Sequence, residues 1–422
     1  MTGHESGIGR KIAYYRARKG LSQRDFAPLI KRSEAWVSQV ERGVRPVKVL
    51  DVLERIAEVL EIPVAELAPT APTAQAQPVP AHVLALRRLL AGDHALGVAV
   101  AEVRDLPDLG PLAEQVETAW ARARQARYAD LLALLESQIP ELEAASGAGS
   151  ARADALLADL YQVWAVALAE LRQFDAAWAA AERAMAKAQR SADPVLMAAC
   201  AFRRAIVFQR AQQLELARHT VDTARAALGT LLDQPAPRAL TVYGGLTLQS
   251  AIIAARMEDT ERVHEMLRQA RKVSSALGAD REEYRIAFGP TAVDLQEVAA
   301  AVELGDAGTA IRLAGKIDAT TLSDFDRGRL LVDTARAWAQ RRSPERALAL
   351  LLAAEALAPE QIHRHRSVRS ATADLLSMDQ RTPGLAEFAQ RIGVDAPFIP
   401  PPGGRSAPPR SALRAARGPR TI

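Results

Sequence analysis

A short pattern recurs six times along this chain, and it limits the possible folds more than any other feature. A helical run ends, a turn follows, and an Ala-rich amphipathic segment begins. These segments start near Tyr128, Phe174, Leu214, Thr260, Ala307 and Pro344, at spacings of 37–47 residues. Stacked helix pairs are expected to repeat in that range. One pair cannot bury its apolar face alone, whereas stacked pairs share a continuous core. Ala177, Ala217 and Ala310 fall early in their segments, where a small side chain lets two antiparallel helices approach closely. The pattern predicts an α-solenoid over residues 81–396, with an uneven period.

Composition agrees. Aromatic residues make up only 5% of the 422, and Ala and Leu dominate, which favours helices over sheets. No segment alternates convincingly enough to be read as a strand, so the expected fold class is all-α. The single cysteine, Cys200, excludes a disulfide framework and a Cys-based zinc site. No apolar run is long enough to span a membrane, and the polar N-terminus lacks the apolar core of a signal peptide. The expected setting is a reducing cytoplasm, beside the nucleoid. Pro-rich residues 69–80 cannot be helical and read as a linker. Residues 145–150 break a helical run. The Pro-, Gly- and Arg-rich stretch 397–422 reads as a disordered tail.

Charge is unevenly placed. Residues 1–48 carry eleven Lys and Arg against four acids, and residues 49–68 carry one Arg against five acids. A small basic head on a larger, near-neutral body suits a polyanion partner. Residues 8–68 parse into five short helices. The first is Ile8 to Lys19, stopped by Gly20. Ser22 and Asp25 form a capping box for the second, and Ser33 caps the third, with Glu34 at its positive end. A fourth runs from about Lys48 to Leu60, and Pro63 opens a last turn ending at Leu67. Only Lys31 and Arg32 join the second and third helices. Such a connection forces a steep crossing, the geometry of a helix-turn-helix.

A helical wheel on the third helix puts Ser33, Val37 and Val40 toward the core and Ala35, Ser38, Gln39 and Arg42 outward. Outward Ser and Gln can hydrogen-bond to base edges in a major groove. Gln23, at the start of the second helix, can reach a phosphate. Arg42, Arg45 and Lys48 can reach others.

The run Leu21 to Gly43, with Leu21, Ser22-Gln23, Ala27, Ser33, Val37-Ser38, Val40 and Glu41-Arg42-Gly43 followed by Arg45-Pro46, resembles the helix-turn-helix of the Cro/C1-type, or XRE, family. The stretch Trp36 to Pro46 resembles actinobacterial members in particular. The resemblance implies a five-helix lambda-repressor-like domain that binds double-stranded DNA, usually as a homodimer on an inverted repeat. It implies a phosphate contact from Gln23 and base reading by Glu34, Ala35, Ser38 and Gln39. The chain departs from the family at Lys31, where Gly is usual. The long helical body resembles the tetratricopeptide-like regions of the same regulators, as in Phe288-Gly289-Pro290-Thr291 and Val302 to Ala307. In related regulators such regions bind short signalling peptides on a concave face, clamped by Asn side chains. This chain contains no Asn.

Smaller signals read as structural. Cys200, Trp164, Trp178, Phe202 and Phe208 are expected in the inter-helix core, and His219, His264, His363 and His365 at or near the surface. Arg203, Arg204, Tyr284 and Arg285 are placed on inner-type helices, where they could hold an anionic effector or a peptide carboxylate. No nucleotide-binding loop, zinc-protease motif or nucleophile elbow is present, and no cofactor is implied. The expected function is a transcriptional regulator whose body dimerises and binds a peptide or small-molecule effector or a protein partner. The alternative is a protein-interaction scaffold with a degenerate helix-turn-helix.

Overall fold

The computed structural model describes residues 2–30, 32–45, 47, 50–62, 67, 81–91, 107–125, 127–231, 236–364, 366–378 and 382–394. The linker at 69–80 and the tail at 397–422 lie outside the described residues.

The head opens with α1 (Thr2–Arg18), α2 (Gln23–Leu29), α3 (Glu34–Glu41) and α4 (Leu50–Leu60). Its boundaries follow from local chemistry. Gly20 and Gly43 sit at φ 71° and 71°, ending α1 and α3 where only glycine turns freely. The Ser22–Asp25 capping box forms in both directions, and the Ser33 hydroxyl accepts from the Trp36 N–H. Ile12, Phe26, Ile30, Val37, Val40 and Ile56 bury fully between the helices. One reading of α3 needs correction. Ser33 faces solvent as the cap rather than the core, and Trp36, whose ring stacks beside the Arg32 guanidinium, is buried instead. Most of the fifth helix lies outside the described residues.

The body begins with α5 (Ala81–Ala91) and continues as helix pairs: α6 (Leu109–Arg124) with α7 (Tyr128–Gly147), α8 (Ala151–Glu170) with α9 (Phe174–Arg190), and α10 (Pro194–Arg210) with α11 (Leu214–Gly229). Next come α12 (Pro237–Arg256) with α13 (Thr260–Leu277), α14 (Pro290–Glu303) with α15 (Ala307–Ala314), and α16 (Asp324–Gln340) with α17 (Pro344–Leu357). The chain closes with α18 (Pro359–Arg364), α19 (Arg366–Met378) and α20 (Leu385–Arg391). All six segments recognised in the sequence begin the second helix of a pair. Ala177, Ala217 and Ala310 are fully buried at the crossings. The first helices pack on one another in chain order and form one continuous face. No helix among the described residues is long and apolar enough to cross a membrane.

Among the described residues, one two-stranded element interrupts the helices of the body. Residues β1 (Arg281–Glu283) and β2 (Ile286–Phe288) form an antiparallel hairpin between α13 and α14, with Glu283 opposite Ile286. It escapes a periodicity reading because each strand has three residues and the turn is Tyr-Arg rather than a glycine pair. The hairpin seats on α12, where Ile286 and Phe288 enter a notch made by Gly245 and Gly244. A Cβ on Gly244 would stand 2.2 Å from the Phe288 ring, and one on Gly245 would stand 2.3 Å from the Ile286 Cγ2.

Other aromatic expectations divide. Trp164 and Cys200 are buried, as is Phe208, and Phe202 packs at a core margin. Trp178 is 43% exposed, touching Phe208 edge to face. His219 and His264 are exposed, whereas half-buried His363 contacts Glu355 at 2.7 Å. His365 lies outside the described residues.

The notch gives a direct test. Gly244→Ala forces the buried Phe288 ring to move and should cost about 1–3 kcal/mol by overpacking. Urea unfolding followed by circular dichroism reads this as a lowered midpoint with an unchanged slope.

Candidate nucleic-acid interface

The helix-turn-helix is held by one half-buried charge network. Glu41, at the end of α3, accepts from Arg16 of α1 at 2.5 and 2.9 Å and from Gln23 Nε2 of α2 at 2.7 Å. Arg16 also donates to the Leu21 carbonyl. The bond to Glu41 holds the Arg16 guanidinium above its usual range. Three helices are thereby pinned at one carboxylate. Gln23, expected to reach a phosphate, has its amide N–H engaged within the head.

Along α3, Glu34 and Ala35 are exposed and Ser38 and Gln39 are half-buried. Arg42 caps the helix and its Nε donates to the Ser38 carbonyl. Lys31 and Lys48 lie outside the described residues. The outward edge of α3 is only partly open to solvent. It faces the body across a cleft of about 1040 Å³, lined by Ala35, Gln39, Arg42 and Arg45 from the head.

The body presents three consecutive corners to that edge, each joining the two helices of a pair. Gln39 Nε2 donates to the Gly305 carbonyl at 3.2 Å, and Arg45 Nη1 donates to the Leu304 carbonyl at 2.5 Å. Glu258 pairs with Arg32 at 2.9 Å and with Arg45 at 3.5 Å. Arg342 donates to the Arg42 carbonyl at 2.6 Å. Gly305 permits the approach, because a Cβ there would meet the Gln39 Oε1 at 2.6 Å. Burial lowers the Arg45 pKa, partly offset by Glu258. Arg32, Arg42, Arg45, Arg341 and Arg342 all border the cleft, against Glu258 and Asp306. Sequence reasoning named Gln39, Arg42 and Arg45. It missed Arg32 as a contact, and Glu258, Gly305 and Arg342, because nothing local marks a corner residue as the partner of a distant helix.

Three of the four residues assigned to an effector site, Arg203, Tyr284 and Arg285, fall together, though not as expected. Arg203 and Arg204 lie on first-type helix α10. Tyr284 and Arg285 form the hairpin turn, correcting their placement on a helix. Arg203 is buried and donates to the Arg285 carbonyl at 2.5 Å and the Tyr284 carbonyl at 3.4 Å. Burial pulls its pKa down to about 10. Arg204 instead pairs outward with Glu182 at 2.8 Å.

Comparisons with known proteins agree with the head. Residues 8–69 match a family model described as a helix-turn-helix domain. No curated protein matches the chain significantly. Among solved structures, the crystal structure of Bacillus thuringiensis PlcR in complex with the peptide PapR7 and DNA is similar at 14% identity. The match covers 65% of this chain and 96% of that one, with a TM-score of 0.28. At that score the two chains do not superimpose as wholes.

Glu41→Ala should leave the half-buried Arg16 without its carboxylate, at a cost of about 1–3 kcal/mol. Hydrogen exchange should show α1–α3 losing protection while the body keeps its own. Equal protection throughout the head would contradict the network's role.

Proposed function

We propose that this chain is a sequence-specific DNA-binding transcriptional regulator of the Cro/C1 type, in which the helical-repeat body controls the head. The observation that carries the reading is the capped α2–α3 pair within a matched helix-turn-helix region, with Ala35, Gln39 and Arg42 on one edge of α3. Glu34, Ala35, Ser38 and Gln39 read bases. Arg42, Arg45 and Lys48, with Gln23, take phosphates. The domain boundaries are a head at 1–68, a linker at 69–80, a sensing and dimerising body at 81–396 and a tail at 397–422. The partners are double-stranded DNA, a second copy of the chain and an effector of the body.

The docked arrangement bears on how such a regulator works. A recognition helix must enter a groove roughly 8.5 Å deep, and the body's corners are hydrogen-bonded to that helix's reading edge. Duplex and body compete for Gln39 and Arg45. Glu258 stands where a phosphate would neutralise Arg32 and Arg45. Docking therefore lowers apparent DNA affinity in proportion to the docked fraction, and an effector that shifts this balance regulates binding.

Selection from a random-sequence duplex library tests the reading. The expected product is an inverted repeat with half-sites roughly 10 base pairs apart, centre to centre. Gln39→Ala should relax the sequence preference and cost about 1–3 kcal/mol. A single half-site would contradict the homodimer. No enrichment, together with unaltered behaviour of Gln39→Ala, would favour the scaffold reading, in which the head serves only protein packing.

Glu258→Gln should raise affinity for the selected duplex by roughly tenfold, since two guanidiniums lose their counter-charge only in the docked state. Unchanged or weakened binding in a fluorescence anisotropy titration would contradict the competition.

A further inference from the structure

The hairpin turn is chemically unusual. Glu283 pairs with Ile286, leaving Tyr284 and Arg285 as a two-residue turn at φ 48° and 61°. Such turns strongly favour Asn and Gly, because both positions need positive φ. A tyrosine and an arginine there carry backbone strain. Their side chains account for the choice. The Tyr284 hydroxyl donates to Asp193 Oδ2 at 2.5 Å, with Arg238 completing the group 3.4 Å from the same oxygen. The Arg285 guanidinium pairs with Glu117 and lies 3.8 Å from Asp159 Oδ2. Asp159 is held in turn by Trp120 Nε1 at 2.8 Å. Buried Arg203, flanked by the Trp120 and Phe202 rings, donates to both turn carbonyls.

These partners come from α6, α8, α10, the α10 cap and α12. The strands fill the Gly244–Gly245 notch, but the tip reaches beyond it across the first-helix face. Its recognition is that of a bound ligand. One carboxylate takes a phenol, two take a guanidinium, and a buried cation takes main-chain carbonyls. At its rim Glu117 and Arg238 remain half open to water.

We propose that the first-helix face carries a peptide site specific for a phenol–guanidinium pair on a turn, and that Tyr284–Arg285 is its resident, exchangeable occupant. Strain at both turn residues disfavours the resident against an unstrained competitor with the same groups. The site stands whether or not the head binds DNA, because none of its residues touches α3.

The test uses the full-length chain carrying Tyr284→Ala and Arg285→Ala, which keeps Ile286 and Phe288 in their notch. The probe is a fluorescently labelled peptide spanning residues 280–289 in the natural sequence. The variant should bind it saturably and at least about tenfold more tightly than the unaltered chain does. The same peptide with both tip residues changed to Ala should bind at least about tenfold more weakly. Circular dichroism checks the fold. If the double variant loses its helices, Arg285→Ala alone is titrated against the same criteria. No binding to any form, or equal binding of the natural and Ala-tipped peptides, would overturn the proposal.

Discussion

Each of five successive helix pairs turns its corner through one residue held in the left-handed region, and much of the remaining structure hangs on that repeated corner. Arg172, Gln212, Glu258, Gly305 and Arg342 occupy the position, at φ between 58° and 77°. The next N–H reaches back to a carbonyl five residues earlier, as from Asp259 to Ala254 and from Asp306 to Ala301. This closes the first helix and aims the second back along it. Only one of the five is glycine, so helix packing sustains a backbone that local preference resists. Because the corners are alike in backbone, they align along one edge of the stack and differ only in what they present. Three of them present a carboxylate, a bare carbonyl and a guanidinium to the head.

Both polar surfaces nominated for recognition are occupied by the chain itself. The outward edge of α3 meets three corners of the body, and the arginine-bearing face of α10 meets the hairpin tip. In each case the self-contact imitates a ligand. Glu258 supplies the negative charge that a phosphate would supply, and Tyr284–Arg285 supplies carbonyls, a phenol and a guanidinium. Polar contacts of this kind gain modestly over water, so each can exchange with an external partner offering equivalent groups.

Much of this architecture was legible in the sequence. The caps Ser22 and Ser33, the stops Gly20 and Gly43, and all six second-helix starts follow from short-range rules. Those rules act over one or two helical turns, and the structure obeys them there. The misses are long-range. Trp36 is buried because the head core needs its bulk, and Trp178 stays exposed because its helix face points outward. The hairpin is invisible to periodicity, since strands of three residues carry too few positions to show alternation. Its Tyr-Arg turn makes sense only once Asp193, Glu117, Asp159 and Arg203 are brought to it from distant helices. Glu258 likewise looks like an ordinary corner residue until the head sits on it.

The central claim is that the body and a DNA duplex are alternative occupants of one edge of α3. Spin labels at exposed Arg24 in the head and exposed Arg268 in the body, each introduced as cysteine with buried Cys200 replaced by alanine, would measure their separation by pulsed electron resonance. One narrow short distance is expected in the free chain, lost when the selected duplex is added at saturation. An unchanged distance distribution in the saturated DNA complex would contradict that claim.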